Sequence, residues 1–297
     1  MQRQHSQGTP GTARTRDGRE LFSMELAGPA GGGPATVVFE GGLASTRSYW
    51  ALVQQAVARS ARAVVYDRSG LGRSAPDPSG PRDLPRLAAD LGDLLDHLGP
   101  GPYILVGHSW GGPVVRLAAA ARPGRIAGLV LVDPTDEDCD LLFERSVRRQ
   151  EKIRHRLALL LARLGWCGLL FRKVTAALPP DAAADMRAEA FTVAVMRTMG
   201  AEQASIEPDL RALRDHPPAL GDIPVTVISA TLPTPGMSAR ARESVNAAHA
   251  YRARQSPRGR HVYARQADHM VPTSEPRIIV TETERLLGAV AERTVEG

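Results

Sequence analysis

Three short runs with almost no polar interruption, residues 36–40, 103–107 and 126–133, constrain this chain more than any other feature. Successive side chains of a strand point to opposite sides, so a run that is apolar at consecutive positions must be covered on both faces. Helix-like segments separate these runs at 48–60, 84–98 and 112–122, and further strands are expected at 19–27 and 62–67. Strands alternating with helices predict an α/β fold: a mostly parallel central sheet, helices on both faces, joined by right-handed crossovers. Such a sheet binds its ligands at the carboxyl ends of the strands.

From about Thr135 to Pro218 the strand signal stops and amphipathic helical stretches replace it, at 139–152, 154–164, 181–199 and near Leu210. Strand-like sequence resumes at 223–229, followed by a helix at 238–255, a strand at 260–265 and a terminal helix at 275–292. The expected organisation is therefore a core of residues 19–134 and 219–297, a helical lid inserted at 135–218, and a flexible tail at 1–18. A Gly/Pro loop at 28–34 separates the first two strands, and no internal repeat is present.

Charge and cysteine content exclude several function classes. The net charge is +5, but the 37 basic residues are spread along the chain, with local density at the amino-terminus and at 145–156. Nucleic-acid binding is not expected, since neither a dense stripe nor a matching motif accompanies the charge. The basic residues Arg145, Arg148, Arg149, Lys152 and Arg156 offer a face for a membrane or an anionic partner, though charges of this kind are commonly just solvated. The two cysteines, Cys139 and Cys167, are too few for a disulfide framework and lack zinc-ligand spacing with histidine, so a reducing, cytoplasmic setting is expected without metal. The most apolar later segment, 157–170, is interrupted by Arg163 and Gly165 and is too short to span a bilayer.

The sharpest chemical signal is Gly107-His108-Ser109-Trp110-Gly111, set between the strand at 103–107 and the helix that follows. A serine on a sharp strand-to-helix turn is exposed in strained geometry, and the flanking glycines leave room for neighbouring chain. Ser109 is thus the candidate nucleophile. The free N–H groups of the helix start favour developing negative charge, which makes Trp110 N–H one candidate oxyanion donor. Glu40-Gly41-Gly42-Leu43 lets the backbone turn inward after the strand at 36–40, and Leu43 N–H is the expected second donor, with Gly42 and His108 at the substrate pocket. His269 follows the last expected strand, which brings its imidazole to the same sheet edge as Ser109 and makes it the candidate general base.

With these motifs the chain resembles the α/β-hydrolase superfamily, in the lid-bearing branch that holds esterases, lactonases, C–C bond hydrolases and cofactor-independent haloperoxidases. The stretch Tyr66-Asp67-Arg68-Ser69-Gly70-Leu71-Gly72-Arg73-Ser74 is similar to the family's loop after the fourth strand, and Gln266-Ala267-Asp268-His269-Met270-Val271-Pro272 to its histidine loop. Gly41-Gly42 stands where His-Gly is common. The resemblance implies a carboxylate that orients the histidine. Many relatives carry it after the strand that follows the lid, but here 223–229 leads into 230–236 without one. Another branch carries it after the preceding strand, where Asp133 stands, with Asp138, Asp136 and Glu243 as alternatives.

Serine at the elbow disfavours the dehalogenase and epoxide hydrolase activities of this outline, which form their intermediate on a carboxylate. The resemblance then implies a cofactor-independent hydrolase that cleaves an ester or lactone of a small to medium hydrophobic substrate through an acyl-enzyme. A C–C hydrolase, an acyltransferase and a non-catalytic small-molecule receptor remain open at this point.

Overall fold

The computed structural model describes residues 4–30, 33–78 and 80–296, with the backbone alone for 294–296. Eight strands form one sheet: β1 (Thr9–Arg14), β2 (Glu20–Leu26), β3 (Thr36–Glu40), β4 (Ala63–Tyr66), β5 (Tyr103–His108), β6 (Ile126–Val132), β7 (Val225–Ala230) and β8 (Gly259–Ala264). Their spatial order is β1-β2-β4-β3-β5-β6-β7-β8. The pairs β1/β2 and β2/β4 are antiparallel and every other neighbouring pair is parallel. The expected α/β class, with a mostly parallel sheet, is the one observed.

The period-2 pattern of the central strands separates two cores. Val38, Val64, Leu105, Leu129 and Leu131 face α2 (Leu84–Leu98) and α3 (Gly111–Ala121), where Leu87, Leu91, Val114 and Ala118 are buried. Their neighbours Val37, Val65, Ile104, Val106 and Val130 face the opposite side, against Val53 and Val57 of α1 (Ala51–Val57) and the terminal helix. This explains the continuous apolar runs: each residue in them has a helix to cover it.

Between β6 and β7 the described chain contains helices and no strand: α4 (Arg145–Arg163), α5 (Cys167–Leu170), α6 (Arg172–Ala177), α7 (Pro180–Glu189) and α8 (Val193–Asp215). After β7 come α9 (Ala239–Arg254), and after β8 the short α10 (Val271–Ser274) and α11 (Pro276–Glu296). Two buried arginines fasten the helical stretch to the sheet. Arg47 Nη1 donates to Asp67 at 2.6 Å and to Glu189 at 2.5 Å, and Arg68 Nη2 donates to Glu202 of α8 at 2.8 Å. No described helix is long and apolar enough to cross a membrane.

Three expectations need correction. The tail expected at 1–18 carries β1, and its preceding residues are docked: Ser6 bonds Asp181 and Gln7 donates to Gln54 at 3.1 Å. Residues 1–3 of that tail, like 31–32 of the Gly/Pro loop, lie outside the described residues. The helices expected at 139–152 and 154–164 are one helix from Arg145 to Arg163, since nothing at Ile153 breaks it, and Asp140–Phe143 ahead of it forms a separate 3-10 turn. The helix expected at 181–199 is two, because Thr192 has extended backbone and its hydroxyl accepts from Val195 N at 3.2 Å, capping α8.

Candidate active site

At the carboxyl end of β5 the chain turns through Ser109 into α3. Ser109 has φ 53°, a left-handed conformation that side chains with a Cβ seldom adopt. Neighbouring backbone over-determines it: Ser109 N donates to Val132 O at 3.1 Å, and its carbonyl accepts from Gly112 N at 3.0 Å and Thr135 N at 2.9 Å. The flanking glycines are sterically required. A Cβ on Gly107 would lie 2.5 Å from Gly111 O, and one on Gly111 2.6 Å from Glu40 O.

Asp133 follows β6 and is also left-handed, with φ 41°, its N–H donating to Ile228 O at 2.7 Å. Of its carboxylate oxygens, Oδ1 accepts from Ala230 N at 3.0 Å and from Arg242 Nη1 at 2.6 Å, while Oδ2 lies 2.7 Å from His269 Nδ1. His269 Nε2 in turn lies 2.9 Å from Ser109 Oγ. Burial pushes the Asp133 carboxyl up, but the hydrogen bond and charge of His269, with His249 and Arg242 nearby, outweigh it and hold Asp133 far below the usual carboxylate range. An ionised carboxylate only accepts, so Nδ1 of His269 carries a proton. In the neutral ring, Nε2 then presents its lone pair to the serine hydroxyl. The His269 side chain is 32% exposed, so the end of this hydrogen-bonded line meets solvent.

The alternative carboxylates are engaged elsewhere. Asp136 and Asp138 pair with Arg252 at 2.9 and 2.5 Å, and Glu137 between them pairs with Arg116 at 2.7 Å. Glu243 is exposed on α9, and Asp268 Oδ1 accepts from Met270 N at 3.0 Å. His108, expected at the substrate pocket, is instead only 3% exposed and bonds the His269 carbonyl through Nε2 at 2.8 Å. Burial and the charge of His269 push it down to about 3, so it is neutral, with its proton on the nitrogen that faces the carbonyl. It holds the histidine loop from behind.

The backbone of the loop after β3 is set by Arg68, whose role sequence reasoning missed. Arg68 Nη1 donates to Gly41 O at 2.6 Å and to Glu40 at 2.5 Å, and Nη2 donates to Gly42 O at 2.8 Å. In a trans peptide the N–H points opposite to the C=O, so anchoring Gly42 O turns Leu43 N–H away from Arg68. Gly42 itself packs on the elbow, where an added Cβ would lie 3.0 Å from the Ser109 Cβ. Among the described residues, neither Leu43 N–H nor Trp110 N–H donates to a protein acceptor outside the regular elements. Ala44, with φ 58°, joins Ser109 and Asp133 as the described non-glycine residues in left-handed geometry, and all three lie at this edge of the sheet.

Fold and site together define a class: the fold is that of the α/β hydrolases, and a family model for the alpha/beta hydrolase fold matches residues 34–164. The chain is 37% identical over 124 residues to the non-heme chloroperoxidase of Streptomyces lividans, covering 41% of this chain and 44% of that one. It is 36% identical over 106 residues to the RutD protein of Caulobacter sp. (strain K31), provisionally named a carbamate hydrolase, covering 34% of this chain and 40% of that protein. The matches thus span less than half the length of these curated relatives. Over nearly the whole chain, 95%, the fold is similar to that of a thermophilic esterase from Thermogutta terrifontis, with TM-score 0.68 and 22% identity, covering 99% of that chain.

Proposed function

We propose that this protein is a serine hydrolase that cleaves a carboxylic ester or lactone of a small to medium hydrophobic substrate through an acyl-enzyme on Ser109. The reading rests on one observation above the others: Ser109 Oγ, His269 and Asp133 lie in line at 2.9 and 2.7 Å. In this reading Ser109 Oγ attacks the carbonyl carbon and its proton passes to His269 Nε2, while Asp133 stabilises the imidazolium. The N–H groups of Leu43 and Trp110 receive the oxyanion. Collapse of the tetrahedral adduct expels the alkoxide, which takes the proton from His269. Water, deprotonated by the same imidazole, then attacks the acyl-enzyme; the bond to Ser109 Oγ breaks as His269 returns the proton to that oxygen, and the acid leaves.

Of the relatives named above, the one named a carbamate hydrolase supports carbonyl-centred chemistry, since a carbamate reacts at its carbonyl. The helical stretch between β6 and β7 serves in this reading as a lid, tied down through Arg47 and Arg68. Stopped-flow hydrolysis of p-nitrophenyl esters from acetate to octanoate tests the proposal. A nitrophenolate burst matching the enzyme concentration is expected, absent in Ser109→Ala. An unchanged burst in that variant would contradict it.

A further inference from the structure

Helix α4 is apolar on two opposite faces, and only one of them is covered. Ala158, Leu159 and Ala162 pack in a cluster with Val195 and Met196 of α8, and on the same side His155 bonds Met196 O at 2.8 Å. Ile153, Leu157, Leu160 and Leu164 recur at helical spacing about half a turn around from that face, and they are 50–55% exposed. The stripe continues past the helix end through Trp166 and Leu170, 57% and 66% exposed. Of eleven large apolar side chains exposed among the described residues, eight fall between Ile153 and Phe171. Scattered exposed apolar residues are ordinary, whereas a contiguous band of them marks a surface that meets something.

The charges beside this band say what it meets. Residues 145–173 hold nine arginines and lysines and one glutamate, an excess larger than the +5 of the whole chain, so the remainder is net negative. Arg149, Arg156 and Arg163 recur every seven residues along one flank of the apolar stripe, with Lys152 beside them. All four are exposed and form no ion pair among the described residues. A second copy of the chain docking here would bring two such cationic flanks together, which like-charge repulsion opposes. A nucleic acid gives the leucines nothing to bury against. Apolar side chains in the plane of a helix flanked by arginine and lysine fit a bilayer with anionic headgroups, the stripe entering the acyl boundary and the cations meeting the lipid phosphates.

We propose that the outward face of α4, extended by Trp166 and Leu170, docks the protein peripherally on anionic lipid bilayers. The face lies on the stretch that Arg68 ties to the loop after β3, so the docked protein holds its candidate site at the membrane surface, where apolar esters concentrate. Docking does not depend on the reaction assigned to that site.

Flotation of the full chain with vesicles of phosphatidylcholine alone, or of phosphatidylcholine mixed with phosphatidylglycerol, tests it at low and high salt. Trp166 is a built-in reporter, because Trp50 and Trp110, the other two tryptophans, are 1% exposed. The protein should float with the mixed vesicles only, Trp166 emission should shift to the blue, and salt should weaken both. Triple reversal of Arg149, Lys152 and Arg156 to Glu should lower the partition coefficient by at least about a hundredfold, and Leu157→Glu with Leu160→Glu should abolish the emission shift. Unchanged thermal unfolding verifies that these surface variants are folded. Equal flotation with both vesicle types, no flotation, or a lipid-free dimer that Leu157→Glu with Leu160→Glu dissolves would overturn the proposal.

Discussion

Arg68 donates to the Gly42 carbonyl at 2.8 Å, and that bond fixes the direction of the next N–H, that of Leu43. Arg68 is 2% exposed and also pairs with Glu40 and Glu202, so its fork is held from several sides. A lysine keeps the charge but cannot reach all of these acceptors with one ammonium. Arg68→Lys should therefore lower kcat for ester hydrolysis roughly tenfold to a hundredfold, short of the loss of a whole oxyanion donor, with KM little changed. Steady-state kinetics beside a melting curve reads this out; an unaltered kcat in a folded variant would remove Arg68 from the positioning of the loop.

Asp133→Asn should lower kcat by about 10⁴, the loss expected when a histidine takes the wrong tautomer. Asp138→Asn and Asp136→Asn should leave kcat near the parent value, since both carboxylates pair with Arg252. A larger drop for Asp138→Asn than for Asp133→Asn would reassign the acid.

Much of this was legible from residues alone, for physical reasons. Buried strands announce themselves by continuous apolar runs, so β3, β5 and β6 fell where expected, and the elbow serine was singled out because it follows such a strand; the histidine follows β8, a half-exposed edge strand, and was singled out by its place after the last strand. β1 was not legible: it is an edge strand, mostly exposed, with Pro10 and Gly11 in it and only Ala13 buried, and it carries no alternation to detect. Asp133 could be placed only by its position after β6, because a carboxylate at a strand end looks the same whether it caps a helix or orients an imidazole. Arg242 and Arg68 left no trace, since an arginine that meets its acceptors across more than 100 residues, or across a loop, has no local pattern.

Arg242 shares the buried Asp133 carboxylate at 2.6 Å. Removing one partner of a buried pair leaves the other charge poorly compensated, so Arg242→Met should cost about 3–5 kcal/mol of stability. Urea unfolding measures it, and a loss below about 1 kcal/mol would show that His269 and Ala230 N–H suffice for Asp133.

Burial lowers the buried histidines His108 and His249, the first to about 3, and half-buried His261 to about 4. Their unfolded value is near 6.5. As pH falls through 6.5 the unfolded chain takes up protons that the native state refuses, so stability declines with acidification until the folded values are reached. Each group adds a slope of up to about 1.4 kcal/mol per pH unit. Unfolding free energy measured between pH 7 and 5 should fall, and His249→Gln should flatten that fall relative to the parent. An equal slope in the two proteins would mean that His249 is charged in the native state.

The central claim is that Ser109 is the nucleophile activated by His269, and labelling with a fluorophosphonate probe tests it most directly. Mass spectrometry of the digested protein should locate one phosphonyl adduct on Ser109, formed rapidly in the parent, at least about a thousandfold more slowly in His269→Ala, and not at all in Ser109→Ala. Adduct on another residue, or labelling of Ser109 that does not slow when His269 is removed, would contradict the account.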